Sequence, residues 1–233
     1  MYVINLMGMD PSTLTGFTFF VVNMALLAAA LFFWLERDNV NPKWKTSLTV
    51  SGLVCFIAAV HYFYMRDAGG TDVVAIRYID WLITVPLLMV ELYIVLLAVT
   101  NVSSGVFKRL LGYTTLMLVF GYLGETSVIS STMGFAGGMI FWGLALKEIW
   151  SGEAADANAG SKNAAGQYAY DSLKNIVTFG WLIYPAGYAL IYFAGLDTDS
   201  AMNVGNSVYN LADFVNKILP GVIVWAAAKM DTK

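Results

Sequence analysis

Four polar residues recur along one otherwise apolar stretch of the chain. They are Arg77, Asp80, Thr84 and Glu91. Their spacing puts all four on one face of an α-helix, with the two carboxylates roughly 16 Å apart along the axis. Carboxylates at two depths on one face suit a proton path, in which an acceptor and a donor lie on opposite sides of a switch. The alternative is a set of salt bridges and hydrogen bonds between helices.

A second charged pair, Asp213 and Lys217, is spaced by four positions. The carboxylate can therefore approach the amine on one face of a helix. One interpretation is a structural ion pair. The other is a reactive amine, since a desolvated lysine forms Schiff bases with aldehydes. Ionisable groups inside a membrane span cost ~2.5 to 3.5 kcal/mol each on insertion scales, which makes functional roles common among them.

His61 is the only histidine of the chain and lies at a predicted depth close to that of Asp80. It is either a satisfied core residue or a group that tunes the pKa of Asp80. A single histidine cannot build a histidine-rich metal site, and no motif around it supports a Ser-His-Asp triad. The sequence therefore predicts no metal site.

Aromatic side chains also recur at helical spacing. One stripe contains Trp181, Tyr184, Pro185 and Tyr188, and further rings are Tyr78, Trp81, Phe135, Trp142 and Tyr209. These side chains form either an ordinary core or the wall of a site for a flat apolar ligand. Gly134 and Gly138, four positions apart, indicate either close helix packing or room for a ring. Pro86, Pro185 and Pro220 are predicted to kink their helices.

The elements that position these residues are predicted membrane spans. The clearest are Leu14–Leu35, Thr46–Met65, Thr126–Leu146, Asn175–Leu196 and Ser200–Ala228, with two weaker ones at Val73–Val99 and Val106–Gly124. Each is long enough to cross a bilayer. With 58% hydrophobic and only 12% charged residues, the chain is predicted to be an all-α membrane protein, a seven-transmembrane helix bundle. Residues 1–233 form a single domain in this prediction, without a soluble domain.

The loops differ in charge. Most of the 13 Lys and Arg residues lie at the ends of loops on one side, and such residues accumulate on the cytoplasmic side. The N-terminus is therefore predicted outside and the C-terminus in the cytoplasm. The segment Ser151–Gln167 is interpreted as a flexible cytoplasmic loop. No basic patch supports nucleic-acid binding, and Cys55, the single cysteine, is interpreted as a core residue.

Several motifs resemble the microbial rhodopsins, and within them the proteorhodopsin branch. They are RYIDWLITVPLLMVELY at Arg77–Tyr93, HYFYMR at His61–Arg66, WLIYPAGY at Trp181–Tyr188 and LADFVNKILPG at Leu211–Gly221. The stretch Glu36–Leu53 is similar throughout. The resemblance extends over all seven spans.

The resemblance implies a light-driven outward proton pump, which is a photoreceptor protein and not an enzyme. All-trans retinal is then bound to Lys217 as a protonated Schiff base. Asp80 resembles the primary counterion, which accepts the Schiff-base proton, and Glu91 the cytoplasmic donor that restores it. Asp213 resembles the second counterion and Arg77 the group that organises both.

Further roles follow from the same resemblance. Asp80, Thr84 and Glu91 together look like the triplet of outward proton pumps, and His61 resembles a histidine that bonds the acceptor aspartate and raises its pKa. Leu88 matches a position at which leucine accompanies absorption of green light and glutamine absorption of blue light. The implied retinal site comprises Lys217, Tyr78, Trp81, Leu88, Phe135, Gly138, Trp142, Trp181, Tyr184, Pro185, Tyr188 and Tyr209.

The family also implies a bacterial inner-membrane location and a homo-oligomer, a pentamer or hexamer, with lipid and protons as partners and no dedicated protein partner. Phe20 departs from the pattern, since some relatives place there a tryptophan that contacts the neighbouring subunit. One alternative is a photosensory rhodopsin of the same fold that signals to a partner; Glu91 argues for the pump. The other is a retinal-free transporter that uses the buried carboxylates.

Overall fold

The computed structural model describes Asp10, residues 12–68 and residues 72–232. All regular structure in this part of the chain is helical. The α-helices are α1 (Leu14–Glu36), α2 (Lys45–Ala68), α3 (Asp72–Val99), α4 (Ser104–Glu125), α5 (Ser131–Ser151), α6 (Glu153–Gly160), α7 (Ala164–Asn175), α8 (Ile183–Tyr192) and α9 (Thr198–Met230). Two 3-10 turns, Arg37–Asn39 and Pro42–Trp44, precede α2, and a π-helix, Ile176–Gly180, joins α7 to α8.

In the described part of the chain, seven helices form the bundle, because α7, the π-helix and α8 run on as one interrupted sixth helix and α6 is a short connection. Among the described residues, five stretches are long and apolar enough to span a membrane. They are Leu14–Asn39, Pro42–Ala68, Val73–Val99, Ser104–Glu125 and Thr198–Met230. The predicted all-α seven-helix bundle is confirmed. Below, the N-terminal face is the end of the bundle at which α1 begins, and the C-terminal face is the end at which α1 finishes.

The segment predicted as a flexible loop, Ser151–Gln167, is helical over most of its length. It contains α6, and α7 begins at Ala164 instead of at Asn175. Asn163 caps α7 by accepting a hydrogen bond from the N–H of Gly166 at 2.7 Å. The prediction was wrong because the alanines of this segment favour helix, while its polar residues act as helix caps and not as a flexible linker.

The fifth helix also begins later than predicted. The predicted span Thr126–Leu146 starts with a turn, in which Ser127 has a φ of 59°, and α5 begins at Ser131 after the cap residue Ser130. The turn itself contains apolar residues, so hydropathy alone did not reveal it.

Apolar side chains cover the outside of the bundle and ionisable ones fill part of its interior. Leu14, Leu35 and Phe179 are 71%, 74% and 66% exposed. The buried ionisable side chains include Arg77, Asp80, Glu91, Asp213 and Lys217. This arrangement is the reverse of the one in soluble proteins, and it is expected where lipid surrounds the helices.

Helices α4 and α5 are fastened together at both ends. Near the N-terminal face, a β-carbon added to Gly134 would lie 2.6 Å from the Cα of Gly124, so the two backbones approach as closely as glycine allows. Near the C-terminal face, Arg109 donates to both carboxylate oxygens of Glu148 at 2.9 Å. Such two-pronged pairs are geometrically specific, so α4 and α5 form a firm hairpin.

Candidate functional site

Lys217 is the centre of a cluster of buried charges from α3 and α9. Its Nζ forms ion pairs with Asp80 of α3 and with Oδ2 of Asp213 on its own helix, the latter at 3.2 Å. All three side chains are at most 2% exposed. Asp213 reaches the amine because residues four positions apart are neighbours on a helix. The cluster can hold a cation on this nitrogen away from water.

The two carboxylates beside Lys217 have different surroundings. Asp213 accepts hydrogen bonds from the hydroxyls of Tyr62 and Tyr184, both at 2.9 Å, and from Nε1 of Trp81 at 3.1 Å. Oδ1 of Asp80 is buried and has no hydrogen-bond partner among the described residues. Three donors stabilise the charged form of a carboxylate, whereas an unpartnered oxygen gains more from a proton. The surroundings therefore differ in a way that makes Asp80 the easier of the two carboxylates to protonate.

Thr84 and His61 lie next to Asp80, but neither donates to its carboxylate. The Thr84 hydroxyl donates to the main-chain carbonyl of Asp80 at 2.9 Å. Nδ1 of His61 is 3.7 Å from Oδ1 of Asp80, too far for a hydrogen bond. It is 2.8 Å from the carbonyl oxygen of Ile57, one helical turn earlier. The direct bond between His61 and Asp80 that the resemblance implies is therefore not formed, because this carbonyl holds the ring.

Arg77 is held on the side of the cluster toward the N-terminal face. Its guanidinium donates to the hydroxyl of Tyr62 at 3.3 Å, and it also donates to the side-chain oxygens of Asn206 at 3.3 Å and Asn210 at 3.0 Å. It lies 3.7 Å from Oδ2 of Asp213. Sequence reasoning missed the two asparagines, although they share a helical face with Asp213. That shared spacing was the signal that could have revealed them.

Glu91 is buried toward the C-terminal face, on the same stripe of α3 as Asp80. Its carboxylate accepts a hydrogen bond from Ser51 of α2, a residue that the sequence did not mark. A small cavity beside Glu91 is lined mainly by apolar side chains, which include Leu88, Trp181 and Pro220. The structure therefore separates the two carboxylates of α3 and surrounds Glu91 with apolar groups.

A larger apolar cavity opens beside Lys217. All twelve residues of the implied retinal site line it: Lys217, Tyr78, Trp81, Leu88, Phe135, Gly138, Trp142, Trp181, Tyr184, Pro185, Tyr188 and Tyr209. The wall also contains Gly134, for which room for a ring was one of the two interpretations of the sequence. The remaining lining residues were not placed in the site by sequence reasoning: Val85, Met117, Leu118, Gly121, Glu125 and Met139. Several of these residues lie on α4, whose sequence shows no stripe of polar residues from which a site could be predicted.

Glu125 is a carboxylate in this wall, although it directly follows the predicted span Val106–Gly124 and so falls in a predicted loop. The hydroxyls of Tyr78 and Tyr209 donate to its Oε1 at 3.0 and 3.1 Å. Tyr192 lies 3.5 Å from its Oε2. Three tyrosines thus turn this helix-end carboxylate toward the bundle.

The remaining reactive group near the site is Cys55. It is fully buried, and its Sγ lies 3.3 Å from the carbonyl oxygen of Lys217. Within the part of the chain that the structure describes, no group of three or more His, Cys, Asp and Glu side chains could hold a metal ion.

Comparison with known proteins agrees with this architecture. A family model described as bacteriorhodopsin-like protein matches residues 13–230. The green-light absorbing proteorhodopsin of Gamma-proteobacterium EBAC31A08 is 49% identical over 227 residues, which cover 96% of this chain and 90% of the relative. The blue-light absorbing proteorhodopsin of Gamma-proteobacterium Hot 75m4 is 46% identical over 228 residues, with the same coverage of 96% and 90%.

A solved structure is similar over nearly the whole bundle. The crystal structure of blue light-absorbing proteorhodopsin from Med12 superposes with a TM-score of 0.80 at 43% identity, covering 93% of this chain and 98% of that one. The match of the family model over residues 13–230, together with these relatives, determines the family. The chain belongs to the bacteriorhodopsin-like family of multi-pass membrane proteins.

Proposed function

We propose that this protein is a light-driven pump that moves protons out of the cell, with all-trans retinal bound to Lys217. The observation that carries the proposal is the place of the Lys217 amine. It is buried between two carboxylates and faces an apolar cavity walled by aromatic rings. The green-light and blue-light absorbing proteorhodopsins, at 49% and 46% identity, support the same function.

The residues of the larger cavity fit a polyene aldehyde. Trp81 packs edge-on against Tyr184 and Tyr209, with ring centroids 5.1 and 5.4 Å away, and such rings bind a flat apolar chain well. Gly138 lines the same cavity without a side chain. Lys217 would hold retinal as a protonated Schiff base within these rings, and the bound group would supply light absorption and isomerisation next to the Lys217 nitrogen.

Asp80 accepts the proton of the Lys217 nitrogen in the proposed cycle. Its unpartnered Oδ1 lets it take a proton without breaking an existing hydrogen bond. Asp213 stays charged, because three hydrogen bonds and the nearby guanidinium of Arg77 stabilise its anion. Two carboxylates of unequal surroundings thus divide the roles of acceptor and permanent counterion.

Glu91 returns a proton to the Lys217 nitrogen from the other side. It lies eleven positions after Asp80 on the same face of α3, roughly 16 Å along the helix. The apolar residues around it, which include Leu88 and Trp181, exclude water from this half of the bundle. A carboxyl group held there can keep its proton until the Lys217 nitrogen needs it.

The charges of the loops predict the orientation of the bundle in the membrane, and the direction of transport follows from that orientation. Lys43, Lys45 and Lys229 lie at the C-terminal face, and basic residues favour the cytoplasmic side. With that orientation, Glu91 lies toward the cytoplasm and Asp80 toward the outside. Each exported charge then works against roughly 2.3 kcal/mol per 100 mV of membrane potential.

The test is illumination of cells that express the protein with retinal. We expect the medium to acidify in light and the signal to vanish with a protonophore or in Lys217→Ala, which also loses the visible absorption band. A photocycle of seconds without acidification would instead establish a light sensor. Persistence of transport in Lys217→Ala without a visible band would establish a retinal-free transporter.

A further inference from the structure

The sixth helix is interrupted, and Pro185 is the cause. Proline has no N–H, so the carbonyl of Trp181, four residues earlier, has no helical donor. The N–H of Tyr184 bonds this carbonyl instead, at 3.1 Å. The carbonyl of Gly180, the last residue of the π-helix, thereby loses the N–H that an α-helix would give it.

A side chain of α9 supplies the missing donor. Nδ2 of Asn216 donates to the carbonyl oxygen of Gly180 at 2.9 Å, and Asn216 is fully buried. The orientation of the amide is fixed, because only its nitrogen can face a carbonyl. A β-carbon on Gly180 would lie 2.1 Å from Oδ1 of Asn216. Position 180 must therefore be glycine for this bond to form.

Helix α9 is itself weakened at Asn216. Pro220 has no N–H, so the main-chain carbonyl of Asn216 also lacks a helical donor. The next residue is Lys217, whose carbonyl oxygen contacts Sγ of Cys55 at 3.3 Å. The weak point of α9 and the weak point of the sixth helix are thus joined by one hydrogen bond, one residue away from Lys217.

We propose that the hydrogen bond from Asn216 to Gly180 is a latch that keeps the sixth helix closed against α9 until Lys217 moves. This rests on the proposed function of Lys217. A shift of the Lys217 backbone displaces Asn216 directly, since the two residues are adjacent, and releases the carbonyl of Gly180. Asn216 is in this sense a positioning residue, which acts through the sixth helix and not on the proton itself.

Opening of the latch changes the access of water to Glu91, the proposed proton donor. Leu173, Ile176 and Val177, at the end of α7 and the start of the π-helix, line the small cavity beside Glu91. When this half of the sixth helix moves outward, the cavity opens toward the C-terminal face and water can enter. A pump needs such a change of access between its two proton transfers, and the latch provides it.

Two variants break the latch by independent routes. Asn216→Ala removes the donor, and Gly180→Ala pushes the carboxamide away through the added β-carbon. The matched control is Asn23→Ala, which removes another buried bond from an asparagine Nδ2 to a carbonyl, that of Ala59 at 2.6 Å, between α1 and α2. The double variant Gly180→Ala with Asn216→Ala should show the same reprotonation rate as Asn216→Ala alone. Once Asn216 is removed, the added β-carbon has no hydrogen bond left to break.

The first measurement is flash spectroscopy in a Glu91→Gln background, where protons must come from the solvent at the C-terminal face. We expect both latch variants to speed reprotonation of the Lys217 nitrogen by about fivefold, the factor that one hydrogen bond represents. Asn23→Ala should leave this rate unchanged. Unchanged rates in both latch variants would contradict the proposal.

The second measurement is the distance between spin labels at Tyr168→Cys on α7 and Ser104→Cys at the start of α4, two exposed positions. The native Cys55 is fully buried and can remain. In the dark, Asn216→Ala should populate the longer distance that the native protein reaches only in light. An unchanged dark distance would overturn the latch. If the native protein instead forms no visible band with retinal, the proposed function of Lys217 fails, while the dark distances still test the latch.

Discussion

Ser51 of α2 donates a hydrogen bond to the carboxylate of Glu91 on α3, at a point where both side chains are at most 1% exposed. Among the residues that the structure describes, this hydroxyl is the one side-chain hydrogen-bond partner of Glu91, whose carboxylate is otherwise surrounded by apolar groups. An exposed carboxylate would exchange protons with water at any time. Because Glu91 is buried and has a single hydrogen-bond donor, we expect any release of a proton from it to require a change of structure.

The first prediction concerns Glu91 and Ser51. Glu91→Gln should keep the visible band, because position 91 does not line the larger cavity, but it should slow reprotonation of the Lys217 nitrogen by roughly a hundredfold, the value of a positioned acid. Ser51→Ala removes the hydrogen bond but leaves the carboxyl group of Glu91 in place, so it should slow reprotonation less than Glu91→Gln does. Flash spectroscopy measures both rates, and normal decay of the cycle in Glu91→Gln would exclude Glu91 as the donor.

The second prediction separates the two carboxylates beside Lys217. Asp80→Asn should abolish light-driven acidification and shift the band, because the acceptor is gone and the charge next to Nζ changes. Asp213→Asn leaves Asp80 in place but removes the anion to which Tyr62, Trp81 and Tyr184 donate. We expect that variant to bind retinal less stably and to retain proton transfer to position 80. Acidification by Asp80→Asn at the native rate would show that another group accepts the proton.

The third prediction concerns colour. Leu88 lines the larger cavity and is 8% exposed. The resemblance associates leucine at this position with green absorption and glutamine with blue. Leu88→Gln should therefore move the absorption maximum to shorter wavelength while light-driven acidification continues. A band that stays in place would show that the colour is set elsewhere in the wall.

The fourth prediction concerns the close approach of α4 and α5. Gly134→Ala places a β-carbon 2.6 Å from the Cα of Gly124, and such overpacking costs about 1–3 kcal/mol. Gly143→Ala on the same helix is the control, since nothing lies within 4 Å of its added β-carbon. Thermal unfolding in detergent should show a lower midpoint for Gly134→Ala alone. Equal midpoints for the two variants would show that the helices separate at little cost.

The fifth prediction concerns pH and the C-terminal face. Partial burial raises the pKa of Asp231, but hydrogen bonds from Lys43, Trp44 and Asn163 outweigh this and hold the pKa below its ordinary value of 3.8. A lowered pKa in the folded state stabilises the fold above the unfolded value, and this contribution disappears as the pH falls through the folded value.

Native protein should therefore lose stability below pH about 4 more steeply than Asp231→Asn, which has no proton to take up at this position. Thermal unfolding of both proteins between pH 7 and pH 3 measures the difference. Parallel curves would show that the contacts of Asp231 do not stabilise the fold.

The sequence could predict the bundle and its polar stripe because both depend on periodicity. The spacing of residues 77, 80, 84 and 91 places all four on one face of an α-helix, and the structure buries all four side chains. The Asp213–Lys217 pair follows from the same geometry. Loop charges likewise gave an orientation, which stays a prediction.

Other features depend on contacts between distant segments and could not be predicted from spacing. Glu125 looked like a loop residue, because the tyrosines that turn it inward come from three other helices. Ser51 is not part of any spaced set of polar residues on α2, so its contact with Glu91 could not be predicted. The ring of His61 could be placed near Asp80, but not its preference for the carbonyl of Ile57. The helices α6 and α7 were missed because turn-forming residues also cap helices.

The fastening of α4 to α5 has a consequence for any motion of the bundle. The hairpin is pinned by Gly124 and Gly134 at one face and by Arg109 and Glu148 at the other. We therefore expect the hairpin to stay rigid during the photocycle. Strain from an isomerising group on Lys217 would then be relieved on the other side of the cavity, in the sixth helix and α9, where Pro185 and Pro220 have already removed helical hydrogen bonds.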